Sequence, residues 1–505
     1  MKKIFLCLLS SLLLFLSFPK LSFWPLAWIS LVPLLYAVSE EKPYKSFLYG
    51  VFTGIIFYFG ILYWLVPTFT AAGEPKIIGI LVLLLLSIYL ALYFGIFCFF
   101  YSKNFKYNAI LSAFLWVTLE FIRTYLFSGF PWALLGYSQW NFLPIIQISE
   151  YTGVYGVSFL IILVNVTIAH SKQVTGYRVK KYILTPLIVL CCLGFGIIKL
   201  HNSSATTSLA DPPTPPVGGL CRENPRIVTI VQGNIDQYIK WDENYIEKIK
   251  DTYSNLSLSS PKNSDLIVWP ESSIPGYLLN DKEIFNWIEN IIKKSKTQYL
   301  VCSNDFKNNQ YYNSAFLISK EGIIVGEYSK VHLVPFGEYV PLRKTIGRFI
   351  NVINEIGEFT SGEKYNTIDS SIGKLGVNIC FEGIFPNEIR KFVKNGAEII
   401  VNTTNDAWYL NTSAPYQHFT INVFRAVENR RNVVRAANTG ISGFIDSYGR
   451  IKSKTNVFET TILTNTILPL KNLTFYSKYG DMFSYLCALI AILFLFIYSF
   501  RNSKY

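Results

Sequence analysis

Long stretches without charge alternate with short basic loops through the first 200 residues, and one more such stretch lies near the C-terminus. An α-helix needs about 20 apolar residues to cross roughly 30 Å of hydrocarbon. Three stretches reach that length: Ser46–Pro67, Ile77–Tyr101 and Met482–Phe500. Five others are shorter or interrupted but are also rich in Leu, Ile, Val and Phe: Ile4–Phe18, Leu21–Val38, Asn108–Phe127, Ile146–His170 and Tyr182–Ile198. The pattern predicts about eight transmembrane helices, seven within residues 1–200 and the eighth at 478–501.

The first apolar stretch has an alternative interpretation. Met1-Lys-Lys followed by a short hydrophobic run is typical of a secretory signal peptide. Because no small-x-small cleavage site follows before Pro19, we expect this stretch to be retained as a helix.

Basic residues in the loops predict the orientation of the chain, because Lys and Arg are enriched on the cytoplasmic side. With a cytoplasmic N-terminus, the cytoplasmic loops carry Lys2, Lys3, Lys42, Lys45, Lys103, Lys106, Lys172, Arg178, Lys180, Lys181, Arg501 and Lys504. The opposite short loops carry only Lys20, Lys76 and Arg123. Both termini are therefore expected in the cytoplasm, with the region after the seventh helix on the outer face.

Residues 226–470 have a different pattern. A Pro- and Gly-rich segment within residues 201–225 is typical of a linker. After it, short β-rich runs alternate with amphipathic stretches, which include expected helices near Asn244–Leu258, Lys282–Lys294, Pro386–Asn395 and Gln417–Val434. The alternation predicts an α/β domain with two sheets covered by helices.

Three residues with the chemistry of a thiol enzyme lie at the ends of apolar runs in this domain. Glu271 ends Asp265-Leu-Ile-Val-Trp-Pro-Glu271, Lys330 ends Tyr328-Ser-Lys330, and Cys380 follows Val377-Asn-Ile. Active groups of α/β sheets tend to lie just past strand ends, so these side chains are expected to converge. A base and a cation favour the nucleophilic thiolate, and the cation also stabilises an oxyanion.

Each residue taken alone has a more ordinary interpretation. A cysteine in a strand is most often a small buried apolar residue. Glu271 after Trp-Pro is also suited to a position beside a helix cap, and Lys330 to a solvated surface. The hypothesis therefore depends on the whole pattern, which also includes two nearby carboxylates, Glu338 and Glu382, suited to orienting the lysine or balancing its charge.

The longer motifs around these residues resemble a known superfamily. They are Trp269-Pro-Glu271-Ser-Ser, Tyr328-Ser-Lys330-Val-His-Leu-Val-Pro-Phe-Gly-Glu338, Ile379-Cys380-Phe-Glu382 and Asn402-Thr-Thr-Asn405-Asp406-Ala-Trp408. Together they resemble the nitrilase, or carbon-nitrogen hydrolase, superfamily with its Glu-Lys-Cys triad. The same motifs, with Arg435-Ala-Ala-Asn-Thr-Gly440, Gly129-Phe-Pro-Trp132 and the flanking membrane stretches, look like its membrane-embedded branch, the apolipoprotein N-acyltransferase family.

The resemblance implies a fold, a reaction and a set of site residues. The fold is a polytopic helical membrane domain joined to a nitrilase-like α-β-β-α sandwich on the periplasmic side of a bacterial inner membrane. The reaction moves an acyl chain from a phospholipid to the N-terminal amine of a diacylglyceryl-cysteine, through a thioester on Cys380. Glu271 is implied as the base and Lys330 as the stabiliser of thiolate and oxyanion. Supporting roles are implied for Glu338, Glu382, Trp241, Phe381 and Asn405.

One position departs from the family pattern. Phe381 follows the nucleophile where better-known members have tyrosine, so a hydrogen bond from that side chain is lost, although the backbone N–H stays available to an oxyanion. Two rival functions remain open: a membrane-tethered amidase that hydrolyses a C–N bond, and a transport or scaffold protein whose outer domain is a catalytic relic.

Composition supports a membrane protein, and the spacing of basic, Cys and His residues bears on its expected partners. The chain is 51% hydrophobic and 16% charged, which is too apolar for an ordinary soluble protein. Its net charge of +13 comes without a Lys/Arg-rich run or zinc-spaced Cys and His residues, so nucleic acid is not expected as a partner. We expect no metal, no cofactor and a monomer. Cys380 is expected to be unbridged, whereas pairing between Cys221 and Cys302 stays open.

Overall fold

The structure is a computed structural model that describes residues 1–105, 108–170, 179–207, 225–236, 243–340 and 359–502. The α-helices in these ranges are α1 (Lys2–Ser17), α2 (Val32–Val38), α3 (Pro43–Ile61), α4 (Leu65–Ala71), α5 (Lys76–Phe100), α6 (Ala109–Tyr125), α7 (Leu143–Ile146), α8 (Ser149–Thr152), α9 (Val154–His170), α10 (Val179–Thr207), α11 (Ile246–Leu258), α12 (Lys282–Ser295), α13 (Pro386–Lys394), α14 (Ala414–Asn429), α15 (Phe475–Tyr479) and α16 (Met482–Asn502). The strands are β1 (Arg226–Gln232), β2 (Leu266–Val268), β3 (Gln298–Lys307), β4 (Gln310–Ile318), β5 (Ile324–Ser329), β6 (Ile368–Ser370), β7 (Gly373–Ile379), β8 (Ile399–Thr404), β9 (Asn432–Ala437), β10 (Gly443–Ile445), β11 (Ile451–Lys454) and β12 (Thr461–Ile467).

Apolar helices dominate the first 207 residues. Among the described residues, three helices are long and apolar enough to cross a membrane: Pro43–Ile61, Lys76–Phe105 and Ile183–Ser203. Three apolar helices are shorter: Trp24–Val38, Val154–His170 and Met482–Ile497. A helical region compatible with a membrane domain is therefore confirmed, while the total of eight transmembrane helices stays a prediction.

Prolines break up one of the predicted spans. The stretch Leu21–Val38 consists of a 3₁₀ turn at Trp24–Trp28 followed by α2. Pro25 and Pro33 each lie in the first turn of their element. Proline has no N–H to donate and fits only at a helix start, so each one marks the beginning of a new element.

Contacts divide the chain into two units. The first contains residues Met1–Pro213, Tyr409–Glu428 and Thr474–Tyr505, and the second contains Thr214–Trp408 and Asn429–Leu473. Most of α14 thus belongs to the first unit although β8 and β9, which precede and follow it, belong to the second. The domain boundaries expected from the sequence stay a prediction.

The second unit contains two six-stranded sheets, which confirms the predicted α/β class. The first sheet has the order β12-β1-β2-β3-β4-β5 and the second β11-β10-β9-β8-β7-β6. Strands β1, β2 and β3 are parallel, as are β7, β8 and β9. The predicted Glu271 and Cys380 lie beyond the carboxyl ends of two of these parallel strands, β2 and β7.

Helices α11 and α12 cover the first sheet. Asp281 caps α12, and its side chain accepts hydrogen bonds from Glu283 N and Ile284 N. Helical spacing then aligns apolar residues on one face of α12. The buried core that this face joins includes Ile284, Ile288, Ile291, Ile292, Ile249, Tyr253, Trp269, Tyr299 and Phe316. Trp269 therefore anchors the short segment that leads to Glu271.

One predicted helix is too long. The amphipathic stretch Gln417–Val434 was expected to be a single helix, but α14 ends at Asn429 and β9 begins at Asn432. Arg430, with φ of 47°, turns the chain between them. Val433 and Val434 then pair with Ile400 and Val401 of β8, an environment that suits β-branched side chains.

Candidate active site

The predicted triad comes from strand ends of both sheets within the second unit. Glu271 follows β2 through Trp269 and Pro270, and Lys330 follows β5 directly. Cys380 is the first residue after β7. All three side chains are buried, with relative exposures of 6%, 1% and 7% respectively. A buried base, cation and thiol are thus brought toward one site, as the sequence suggested.

Lys330 lies between two carboxylates. Its Nζ donates a 2.9 Å hydrogen bond to Glu338 and lies 3.5 Å from Glu271 Oε1. Burial alone lowers the pKa of Lys330, but the charges of Glu338 and Glu271 outweigh it and raise the pKa overall. The ammonium group is therefore held in its charged form next to the thiol.

Asn313 joins the two carboxylates, and the sequence analysis missed it. Its Nδ2 donates to Glu271 Oε1 at 2.8 Å and to Glu338 Oε1 at 3.0 Å. Its backbone oxygen accepts from Lys330 N at 2.8 Å. The sequence offered one hint: Asn313 directly precedes the small and apolar end of β4, Ser314–Ile318. An amide buried there is costly unless it is hydrogen-bonded.

Glu271 is fixed from both sides. Besides the bond from Asn313, its Oε2 accepts from the backbone N of Asn405 at 2.8 Å. Asn405 follows β8, and its Oδ1 accepts from Asn438 Nδ2 at 3.1 Å. The predicted supporting residue Asn405 therefore contacts the proposed base through its main chain. With both oxygens bonded, Glu271 is held in one orientation.

Glu382 was expected to orient the lysine or to balance its charge, and in the structure it bonds the backbone of two segments. Its Oε2 accepts from Ile379 N at 2.7 Å, and its Oε1 accepts from Val331 N at 2.8 Å and His332 N at 3.1 Å. Burial, followed by the charge of Glu388, raises the pKa of Glu382 to about 7, against the opposing effect of these backbone donors. Glu382 thus ties the backbone after Lys330 to the strand before Cys380, and its role in orienting the lysine stays a prediction.

Cys380 itself lies in a sparsely populated backbone conformation, with φ of 53°. Such strain at a non-glycine residue is common where a side chain must point into a site. Burial, then the charge of Glu271, raises the pKa of the thiol, whereas Lys330 lowers it. The resting group is therefore a thiol, and thiolate formation requires transfer of its proton to a base.

Phe381, the residue after Cys380, is buried among aromatic rings. The Phe381 side chain is 7% exposed and packs edge-on against Phe385, with ring centroids 5.2 Å apart. Trp241 lies outside the described residues, and so does Cys221, which leaves its pairing with Cys302 open.

Comparison with known proteins identifies two matching families. A family model described as "Apolipoprotein N-acyltransferase N-terminal domain" matches residues 10–167, and one described as "Carbon-nitrogen hydrolase" matches residues 227–470. The chain is 40% identical to an apolipoprotein N-acyltransferase from Geobacter metallireducens, over 95% of this chain and 92% of the relative. It is 30% identical to an apolipoprotein N-acyltransferase from Haemophilus influenzae, over 97% of this chain and 93% of the relative.

Among solved structures, the chain is similar to a carbon-nitrogen hydrolase from Helicobacter pylori. That alignment covers 48% of this chain and 89% of the solved chain, at 18% sequence identity and a TM-score of 0.38.

Proposed function

Because the chain belongs to the apolipoprotein N-acyltransferase family, and is therefore an acyltransferase of the last step of lipoprotein maturation, we propose that Cys380 is the nucleophile that carries the acyl group. The observation that supports this role most strongly is the contact of Lys330 with both Glu271 and Glu338, because Lys330 also interacts electrostatically with the Cys380 thiol. Phospholipid and lipoprotein are the substrates that the family implies.

The first half-reaction forms a thioester. Glu271 takes the proton from Cys380 Sγ, and the thiolate attacks an ester carbonyl of the phospholipid. Lys330 stabilises the oxyanion of the tetrahedral intermediate. When the C–O bond breaks, the leaving alkoxide takes the proton from Glu271 and departs as a lysophospholipid.

The second half-reaction transfers the acyl chain to nitrogen. The α-amine of the diacylglyceryl-cysteine attacks the thioester carbonyl and gives a proton to Glu271. The C–S bond breaks, and the Cys380 thiolate then recovers that proton. Glu271 thus serves both steps, while Glu338 and Asn313 keep Lys330 and Glu271 in place. Trp241, Phe381 and Asn405 are proposed as supporting residues, and no cofactor or metal enters either step.

The proposal includes the placement of this chemistry. Residues 1–200 and 478–501 form the membrane part, residues 201–225 the linker, and residues 226–470 the catalytic domain. The apolar helices and the family support a membrane enzyme, and the loop charges favour a periplasmic catalytic domain with both termini in the cytoplasm of a bacterium. The enzyme is proposed to act as a monomer.

Trapping the acyl-enzyme tests the proposed nucleophile. Purified protein is incubated with a phospholipid of one defined chain length, without acceptor, and the peptide that contains Cys380 is weighed by mass spectrometry. The expected result is a mass increase equal to that acyl group, with none after Cys380→Ala. Cys302→Ala is the matched control, because Cys302 is buried on β3 and its Sγ bonds Thr403 Oγ1 at 3.3 Å. A native enzyme that gains no acyl group would favour an amidase instead.

A further inference from the structure

His332 lies two residues after Lys330 and contacts the segment that follows Cys380. Its ring stacks on Phe385 with centroids 4.0 Å apart and an interplanar angle of 22°. It also lies edge-on to Phe381, with centroids 5.7 Å apart. Since a carboxylate only accepts hydrogen bonds, His332 Nδ1–H donates to Glu388 Oε1, at 2.7 Å. One side chain therefore joins the lysine segment to the 3₁₀ turn after Cys380 and to α13.

The backbone of the same segment has a second tie. Glu382 accepts from the backbone N of Val331 and of His332, while its other oxygen accepts from Ile379 N. These bonds fix the main chain at Val331 and His332, and side-chain contacts add to them. His332 supplies such contacts through ring stacking and a hydrogen bond to a largely buried carboxylate.

We propose that His332 and Glu388 act as a positioning pair that holds Lys330 close to the Cys380 thiol during thiolate formation. The inference rests on the proposed function, in which Lys330 stabilises the thiolate. His332 does not touch the reacting atoms and acts through Lys330. Stacking on Phe385 and the hydrogen bond to Glu388 together hold the backbone after Lys330 against the residues that follow Cys380.

The charged groups near Cys380 and near Glu388 determine how removal of the His332–Glu388 contact would change the pKa of the thiol. Cys380 interacts electrostatically with Glu271, Lys330 and Asp406, of which Lys330 alone lowers the pKa of the thiol. Glu388, at the other end, raises the pKa of Glu382 and of Tyr365. If Lys330 moves away, the two carboxylates beside the thiol remain, so the thiolate becomes harder to form.

The pH dependence of alkylation measures this effect directly. The full-length protein in detergent is treated with iodoacetamide between pH 6 and 10, and the rate of modification is followed on the peptide that contains Cys380, so that the other cysteines do not interfere. For His332→Ala we expect the profile to move to higher pH and the rate at pH 7 to fall about tenfold, as for a shift of about one pKa unit. Glu388→Ala should shift the profile in the same direction, and Glu388→Gln, which keeps the acceptor, should shift it less.

A control on the same helix separates positioning from general loosening. Asn387 lies beside Glu388 on α13, and its Oδ1 accepts from Arg390 Nε of its own helix at 2.9 Å. Asn387→Ala should leave the alkylation profile unchanged. Melting temperatures of all variants are compared, and if His332→Ala does not fold, His332→Gln replaces it.

Two results would overturn the inference: profiles of the His332 and Glu388 variants that superimpose on the native profile, or an equal shift in Asn387→Ala. Alkylation needs no lipid, so its outcome is independent of the acyl-enzyme experiment. If native enzyme formed no thioester and His332→Ala still shifted the profile, the positioning would stand while the proposed function failed.

Discussion

At the scale of single residues, the Asn313 side-chain amide bridges two carboxylates of the candidate site. It donates to Glu271 and to Glu338, the same two carboxylates that flank Lys330. Each carboxylate also has a backbone donor, Asn405 N for Glu271 and Val334 N for Glu338, at 2.8 Å each, but Asn313 is the side-chain amide that they share. Without it, Glu271 and Glu338 would lose the donor that holds their Oε1 atoms beside Lys330.

We predict that Asn313→Ala lowers the rate of acyl transfer by about 10- to 100-fold, because hydrogen bonds to charged groups contribute about 1.5–3 kcal/mol each. Asn313→Asp, which adds a third carboxylate, should lower it further. Steady-state kinetics with purified enzyme measure both. Asn366→Ala, which removes an exposed amide bonded to Glu327 O in the same unit, is the control and should keep native activity.

For Phe381, we expect packing of the ring to matter more for activity than a polar group at that position. Its ring packs against Phe385 and His332, and it is almost fully buried. We therefore expect Phe381→Tyr to change the rate of transfer by less than about threefold, and Phe381→Ala to lower it more, because that variant leaves a cavity. A gain of more than about tenfold in Phe381→Tyr would show that a hydroxyl here supplies a missing hydrogen bond.

At the scale of elements, close packing between α3 and α5 depends on small residues. A Cβ added to Gly54 would lie 2.8 Å from Cα and Cβ of Ala91. Small residues at such positions let helix backbones approach each other within a membrane. The same feature is absent at Gly194 of α10, where an added Cβ would meet nothing within 4 Å.

We predict that Gly54→Val lowers the stability of the protein by about 1–3 kcal/mol through overpacking. Gly194→Val controls for the change in helix propensity, which is similar at both sites, and should have a much smaller effect. Thermal unfolding in detergent measures the two variants side by side. Equal melting temperatures for both would contradict tight packing of α3 against α5.

The elements also show what the sequence could and could not predict. Hydrophobic length located α5 and α16 closely, and short β-rich apolar runs before Glu271, Cys380 and Asn405 located the strand ends of the site. The contact of Asn313 depends on the pairing of β3 with β4, and the contact of Glu382 depends on two segments about 50 residues apart. Such contacts between distant segments depend on the tertiary structure, which a local sequence pattern does not contain.

At the scale of the whole molecule, the crossover helix α14 determines how the chain can be divided. Gln417 of α14 accepts from Trp132 Nε1 at 2.7 Å and donates to the backbone oxygens of Pro19 and Ile61, at 3.2 Å each. Glu428 accepts from Val154 N at 3.1 Å. These partners all belong to the first unit, together with α14 itself.

We therefore expect a fragment of residues 226–470 to be unstable by itself, because it would leave the buried polar groups of α14 without partners. Expression of that fragment should give aggregated protein, or soluble protein in which amide hydrogens of α14 exchange rapidly. A soluble fragment with slow exchange in α14 would show that the predicted boundaries define an independently folding domain.

The loop charges lead to a prediction about the orientation of the whole chain in the membrane. Gln310 lies at the exposed tip of the β3–β4 hairpin, and Glu40 lies exposed in a predicted cytoplasmic loop beside Lys42 and Lys45. Because basic loops are retained in the cytoplasm, a membrane-impermeant maleimide added to spheroplasts should label Gln310→Cys and not Glu40→Cys. Disruption of the membrane should expose both cysteines to the reagent, with the native sequence as background. Labelling of Glu40→Cys alone in intact spheroplasts would reverse the predicted orientation and would place the thiol of Cys380 on the cytoplasmic side.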